Sequence, residues 1–100
     1  MATTTKALYR GAAATSSTTL YTVPASTTTV VTDIVITNTA ASAATFTLTL
    51  DGVAIATTVA IAANDSISIS LKQVLAATKI IAGLASAITV NFHISGVEIS

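Results

Sequence analysis

Cysteine and tryptophan are absent from this chain, and proline occurs once, at Pro24. Without cysteine there is no disulfide and no thiolate metal site, and the redox compartment is left open. Charge is nearly as scarce. Aspartate, glutamate, lysine and arginine make up 8% of the residues, against about 25% in an ordinary soluble domain. The cations Lys6, Arg10, Lys72 and Lys79 are balanced by the acids Asp33, Asp51, Asp65 and Glu98. The cations are scattered, so no basic footprint for nucleic acid exists. The four aromatics, Tyr9, Tyr21, Phe46 and Phe92, are too few for a base-stacking platform. Long apolar runs are missing too. The least polar segment, 74–90, is interrupted by Lys79 and falls short of the roughly 18 to 20 apolar residues of a membrane helix. The opening MATTTKALYR lacks the continuous apolar stretch of a signal peptide. These absences predict a soluble chain, intracellular when made, with neither nucleic acid nor membrane as partner.

What is present is alternation. In TFTLTL, Phe46, Leu48 and Leu50 face one way and Thr45, Thr47 and Thr49 the other. SISISL sets Ile67, Ile69 and Leu71 against Ser66, Ser68 and Ser70, and ITVNFHI sets Ile88, Val90, Phe92 and Ile94 against Thr89, Asn91 and His93. A period of two marks strands buried on one face. Threonine suits the other face, because its branched β-carbon fits a pleated surface and its hydroxyl tolerates water.

Turn chemistry separates these runs. Asp51-Gly52 is a two-residue hairpin loop of the type I′ kind. It pairs Leu50 with Val53 and puts Val53, Ile55, Val59 and Ile61 on the face of Phe46, Leu48 and Leu50. AAND, ending at Asp65, is a second turn. Inward residues are even-numbered up to Ile94 and odd-numbered at Val97 and Ile99, which predicts a bulge at Ser95-Gly96. Pro24 cannot donate to a ladder, so LYTVPAST is a short strand from Leu20 to Val23 and then a strand end or crossing. The next strand, Thr28 to Thr39, is apolar on both faces near its middle, and NTAASAA after it is a loop. SLKQVLAATK is the one stretch with helical spacing, and KIIAGL is a strand with a kink at Gly83. The chain thus divides into an N-terminal arm or edge strand, 1–19, and a β-sandwich domain, 20–100. The fold class is all-β, an antiparallel two-sheet sandwich of about seven to nine short strands. Jelly-roll and immunoglobulin-like connectivity both remain open.

No chemistry-bearing constellation emerges, so no catalytic, cofactor-binding or metal residue is assigned and the chain is not expected to be an enzyme. His93 lies on the outward face with no second histidine or cysteine to share a metal. Asp51 and Asp65 are explained by turns. Asp33 and Glu98 are left to meet a basic residue or a partner, and nothing beside them would bind a sugar for glycosidase work. No loop carries adjacent acids for calcium. RGAAAT lacks the glycines and lysine of a phosphate loop, and no base is placed to activate a serine. Both phenylalanines suit the core, and Tyr9 and Tyr21 suit the sandwich edge with wet hydroxyls. Near-zero net charge and outward faces of Thr, Ser, Ala and Asn favour association, so a homo-oligomer is expected, a trimer before other cyclic forms.

The order of motifs carries a resemblance. LYTVPASTTTVVTDIVITNTAASAATFTLTLDGVAI, then AANDSISIS, then VNFHISGVEIS is similar to a group of small tailed-bacteriophage virion proteins, over Leu20 to Ser100. The resemblance implies a structural, non-enzymatic role in the virion, assembled in the host cytoplasm. Capsid decoration is the expected form, a cement protein bound to the major capsid protein. The alternatives are a neck, head-fibre or tail accessory protein, and, on fold analogy alone, a carbohydrate-binding or adhesin module.

Overall fold

The computed structural model describes residues 2–100. The described residues form eight strands: β1 (Thr3–Ala12), β2 (Thr18–Thr22), β3 (Thr28–Asn38), β4 (Ala44–Leu50), β5 (Val53–Ile61), β6 (Ser66–Leu75), β7 (Ile80–Ala85) and β8 (Val90–Ile99). They form two antiparallel sheets, ordered β1-β8-β3-β6 and β2-β7-β4-β5.

The hairpin at the middle of the chain explains this order. Asp51 and Gly52 have φ of 53° and 74°, as a type I′ loop requires, and Leu50 pairs with Val53. From that tip the two halves of the chain run back side by side. β4 pairs with β5, β3 with β6, β2 with β7 and β1 with β8. Rolling this long ribbon onto itself adds the β3·β8 and β4·β7 pairings. Every connection except the β4–β5 hairpin then crosses between sheets. The result is a jelly roll, which decides the connectivity that alternation left open.

The core lies between the sheets. Ile34, Ile36, Val90, Phe92 and Ile94 of the first sheet meet Phe46, Leu48, Leu50 and Ile81 of the second, all buried. Phe46 and Phe92 touch edge to face, with ring centroids 6.3 Å apart and planes at 74°. Such a pair contributes roughly 0.5–1.5 kcal/mol beyond its burial. The expected outward threonines of β4 are half-exposed. Pro24 lies in the crossing from β2 to β3, and the small-residue loop joins β3 to β4. β1 is the edge of the first sheet, and it delivers Leu8 to the core.

Several local expectations are corrected. The register does shift at Gly96, Ser95 and Ile94 in both pairings of β8, but β8 itself inserts no residue there. The extra residues sit on its neighbours, Leu8 in β1 and Thr32 in β3. The phase switch therefore belongs to β3: Ile34 and Ile36 point inward beyond Thr32, and Val31 and Thr29 before it. This is why β3 reads as apolar on both faces. Gly96 answers a different need, close approach. A Cβ there would lie 2.5 Å from the Val30 carbonyl oxygen and 2.8 Å from Leu8 Cδ1. Gly83 is of the same kind, since its Cβ would lie 2.8 Å from Leu48 Cδ2.

SLKQVLAATK is not helical. β6 runs through Leu75, which is buried opposite Thr29, and a turn follows at Ala77-Thr78. Pairing with β3 along its whole length outweighs the helix spacing of Leu71, Val74 and Leu75. In β5 only Ile61 is buried, and Val53, Ile55 and Val59 are exposed. Val53 and Val59 pair with Leu50 and Phe46 and so share their face as expected. They are exposed because β5 is an edge strand, and two register shifts leave Ile55 without a partner. Ile88 precedes β8 and is exposed in a turn.

Candidate interaction surface

The charged residues separate into those satisfied within the chain and those that are not. Lys79 Nζ lies 3.7 Å from Asp51 Oδ1, both about half-exposed. Asp65 Oδ1 accepts the Ser66 N–H at 2.8 Å, holding the turn before β6. Glu98 continues the even-numbered inward phase of β8, so its carboxylate enters one end of the sandwich. There Glu98 Oε2 meets Lys6 Nζ at 3.4 Å and accepts the Tyr21 hydroxyl proton. Because the tyrosine's one proton is donated to the carboxylate, Thr29 donates to the Tyr21 oxygen, at 2.9 Å. Four strands, β1, β2, β3 and β8, are tied at this point. Burial, reinforced by the neighbouring carboxylate, pushes the Tyr21 hydroxyl above its usual pKa. The expected wet tyrosine edge is thus corrected for Tyr21, which is buried between the sheets. Tyr9 instead is half-buried against the core's margin and donates to the Ala12 carbonyl at 2.8 Å.

His93 lies on the outer face of β8, opposite Arg10 on one side and Val35 on the other. Among the described residues no three acids or histidines gather as a metal would need. Asn38 is a buried polar residue that the alternation pattern did not single out. Its amide donates to the Ser42 and Ala62 carbonyls, and its carbonyl accepts from Ala40 N–H and Thr89 hydroxyl. It organises the β3–β4 loop, and its place at the centre of the TNT motif, where β3 ends, is the sign of this in the sequence.

Asp33 and Lys72 are different. Both are exposed, and neither takes part in an ion pair among the described residues. They are brought together by the irregular register of the first sheet. β3 uses one more residue than β8 at Thr32, and β6 uses one more than β3 at Leu71-Lys72. The staggered extra residues open a shallow groove on the outer face, lined by Thr32, Asp33, Ser70, Leu71 and Lys72. Val74, two residues along β6, is 67% exposed.

The sheet edges also differ. β1 carries Lys6 and Arg10, β6 carries Lys72, and β2 is only five residues long. Charge and shortness are the usual guards of an edge. β5 has nine residues and no charge. Its guard is irregularity: two register shifts and Thr58 at a φ of 47°. Fold and surface together define an eight-stranded jelly-roll domain with a neutral, partly aliphatic exterior. The chain matches no protein-family model. No curated protein matches it in sequence.

Proposed function

We propose that this chain is a structural virion protein of a tailed bacteriophage. It decorates the head shell as a homo-oligomer, bound to the major capsid protein. The observation that carries this reading is the exterior. Val53, Val74 and Ile88 are each about two-thirds exposed, in a chain with four cations and four acids. So few charges, balanced to near-zero net charge, favour association. The ordered LYTVPA, TNT, LDG and SGVEI motifs supply the class of assembly by resemblance. A decoration protein stabilises the shell by binding the assembled form preferentially.

Two measurements test this. Mass spectrometry of purified virions should find the polypeptide as a stoichiometric component, and its absence would sink the reading. Particles lacking it should rupture at lower temperature than complete ones. Equal rupture temperatures would favour a neck, head-fibre or tail role, to which the elongated shape, 46 × 21 × 18 Å, also lends itself.

A further inference from the structure

We propose that the outer face of the first sheet around Asp33 and Lys72 is a two-fold docking surface for a second copy of this chain. The proposal rests on the homo-oligomeric reading above and names the surface that it uses. In a two-fold contact, residue i of one copy meets residue j of the other and j meets i. One acid beside one base is the simplest charge pattern that satisfies this rule, because each copy presents what the other lacks. Asp33 and Lys72 line one groove, and neither is paired among the described residues. The remaining charges do not offer such a couple. Lys6 pairs with Glu98, Lys79 with Asp51, and Asp65 holds its own turn. Arg10 lies at the far edge of the sheet, on β1. Around the couple the surface is small and neutral, with Thr32, Ser70 and Leu71 in the groove and the exposed Val74 beside it. Docking places Asp33 of each copy against Lys72 of the other and removes both Val74 side chains from water. Charge complementarity of this kind fixes register and suppresses wrong pairings more than it adds affinity. A two-fold contact closes a dimer, and it is compatible with a three-fold ring built through a different edge.

The test uses charge reversal read by sedimentation equilibrium. Wild-type protein should sediment as a dimer or a multiple of one. Asp33→Lys and Lys72→Asp, each alone, put like charges opposite each other across the two-fold. Each should raise the dissociation constant about tenfold or more. An equimolar mixture of the two variants should associate again, since each unlike pair then carries opposite charges at both contacts. Recovery in the mixture separates a contact between copies from one within a chain. Thermal unfolding of each variant checks that it folds. If either reversal fails to fold, Asp33→Asn and Lys72→Gln replace the pair, and Val74→Ser should weaken association without altering charge. A monomeric wild type, single variants that associate as wild type does, or a mixture that stays dissociated would each overturn the proposal. A monomeric wild type would also remove the homo-oligomer from the proposed function, whereas the other outcomes sink this surface alone. Membership of the virion stands or falls on the polypeptide's presence in purified particles.

Discussion

Gly96 and Tyr21 carry more of this fold than their side chains suggest. Beside Gly96 the nearest atom is a backbone oxygen, that of Val30 at 2.5 Å from a built Cβ, and backbone cannot rotate away. Gly96→Ala should therefore destabilise by about 1–3 kcal/mol, the usual range for overpacking, read as a lower urea midpoint. Gly83→Ala meets the end of a leucine side chain first, which can shift, so its loss should be smaller. At Tyr21 the hydroxyl satisfies both Glu98 and Thr29. Tyr21→Phe leaves a carboxylate and a hydroxyl short of a partner and should cost about 1–3 kcal/mol. The linkage has a definite sign. The folded-state pKa of Tyr21 is raised, so its share of stability is fully present below the unfolded value of about 10. That share is lost as pH rises through the higher folded value. Stability measured from pH 8 upward should fall at the alkaline end in wild type, and Tyr21→Phe should remove part of that fall.

Strands and turns here are held by local rules where the sheet is regular and by strain where it is not. The Asp51-Gly52 loop needs positive φ at both positions, so Gly52→Val should destabilise the hairpin, although a Cβ at Gly52 meets nothing within 4 Å. The cost is conformational, not steric with neighbours. The opposite prediction applies to Thr78, a β-branched residue held at a φ of 70° in the β6–β7 turn. Left-handed backbone is unfavourable for such a residue and tolerated by asparagine. Thr78→Asn should therefore raise the melting temperature. Its N–H donates to the Val23 carbonyl at 3.0 Å, and the substitution keeps that bond. A lower melting temperature would show that the threonine side chain contributes more than its strain costs.

The whole molecule depends on its two ends meeting. β1 pairs with β8 along nearly its full length, and Ala2 and Ser100 exchange both backbone hydrogen bonds, at 2.7 and 2.8 Å. Deleting residues 2–12 would strip one side of β8 and remove Leu8 from the core. The expected result is loss of a single cooperative unfolding transition, followed by near-ultraviolet circular dichroism. A truncated chain that unfolds as sharply as the whole would show that β1 is dispensable. A fold whose pairings join distant parts of the chain is also expected to fold slowly for its size.

Strand β4, the Asp51-Gly52 tip and the two core phenylalanines are legible in the residues, because alternation and turn chemistry act over a few positions of chain. The same local reading places a bulge on β8, where the structure puts the extra residues on β1 and β3. It rightly gives Val53 and Val59 the face of Leu50 and Phe46, but not the exposure of that face at the edge. A bulge is a relation between two strands, and burial at an edge depends on what lies across it, so neither is written in one strand's own pattern. Asp33 shows the same division. Its isolation as the lone charge between Leu20 and Thr39 was plain from the chain. Its neighbour in the groove, Lys72, lies thirty-nine positions on and was brought beside it only by the staggered register of β3 against β6. Period and turn type are set by local sterics and hydrogen bonding. Sheet membership, register and the company a side chain keeps are set by long-range pairing, which the tertiary fold alone decides.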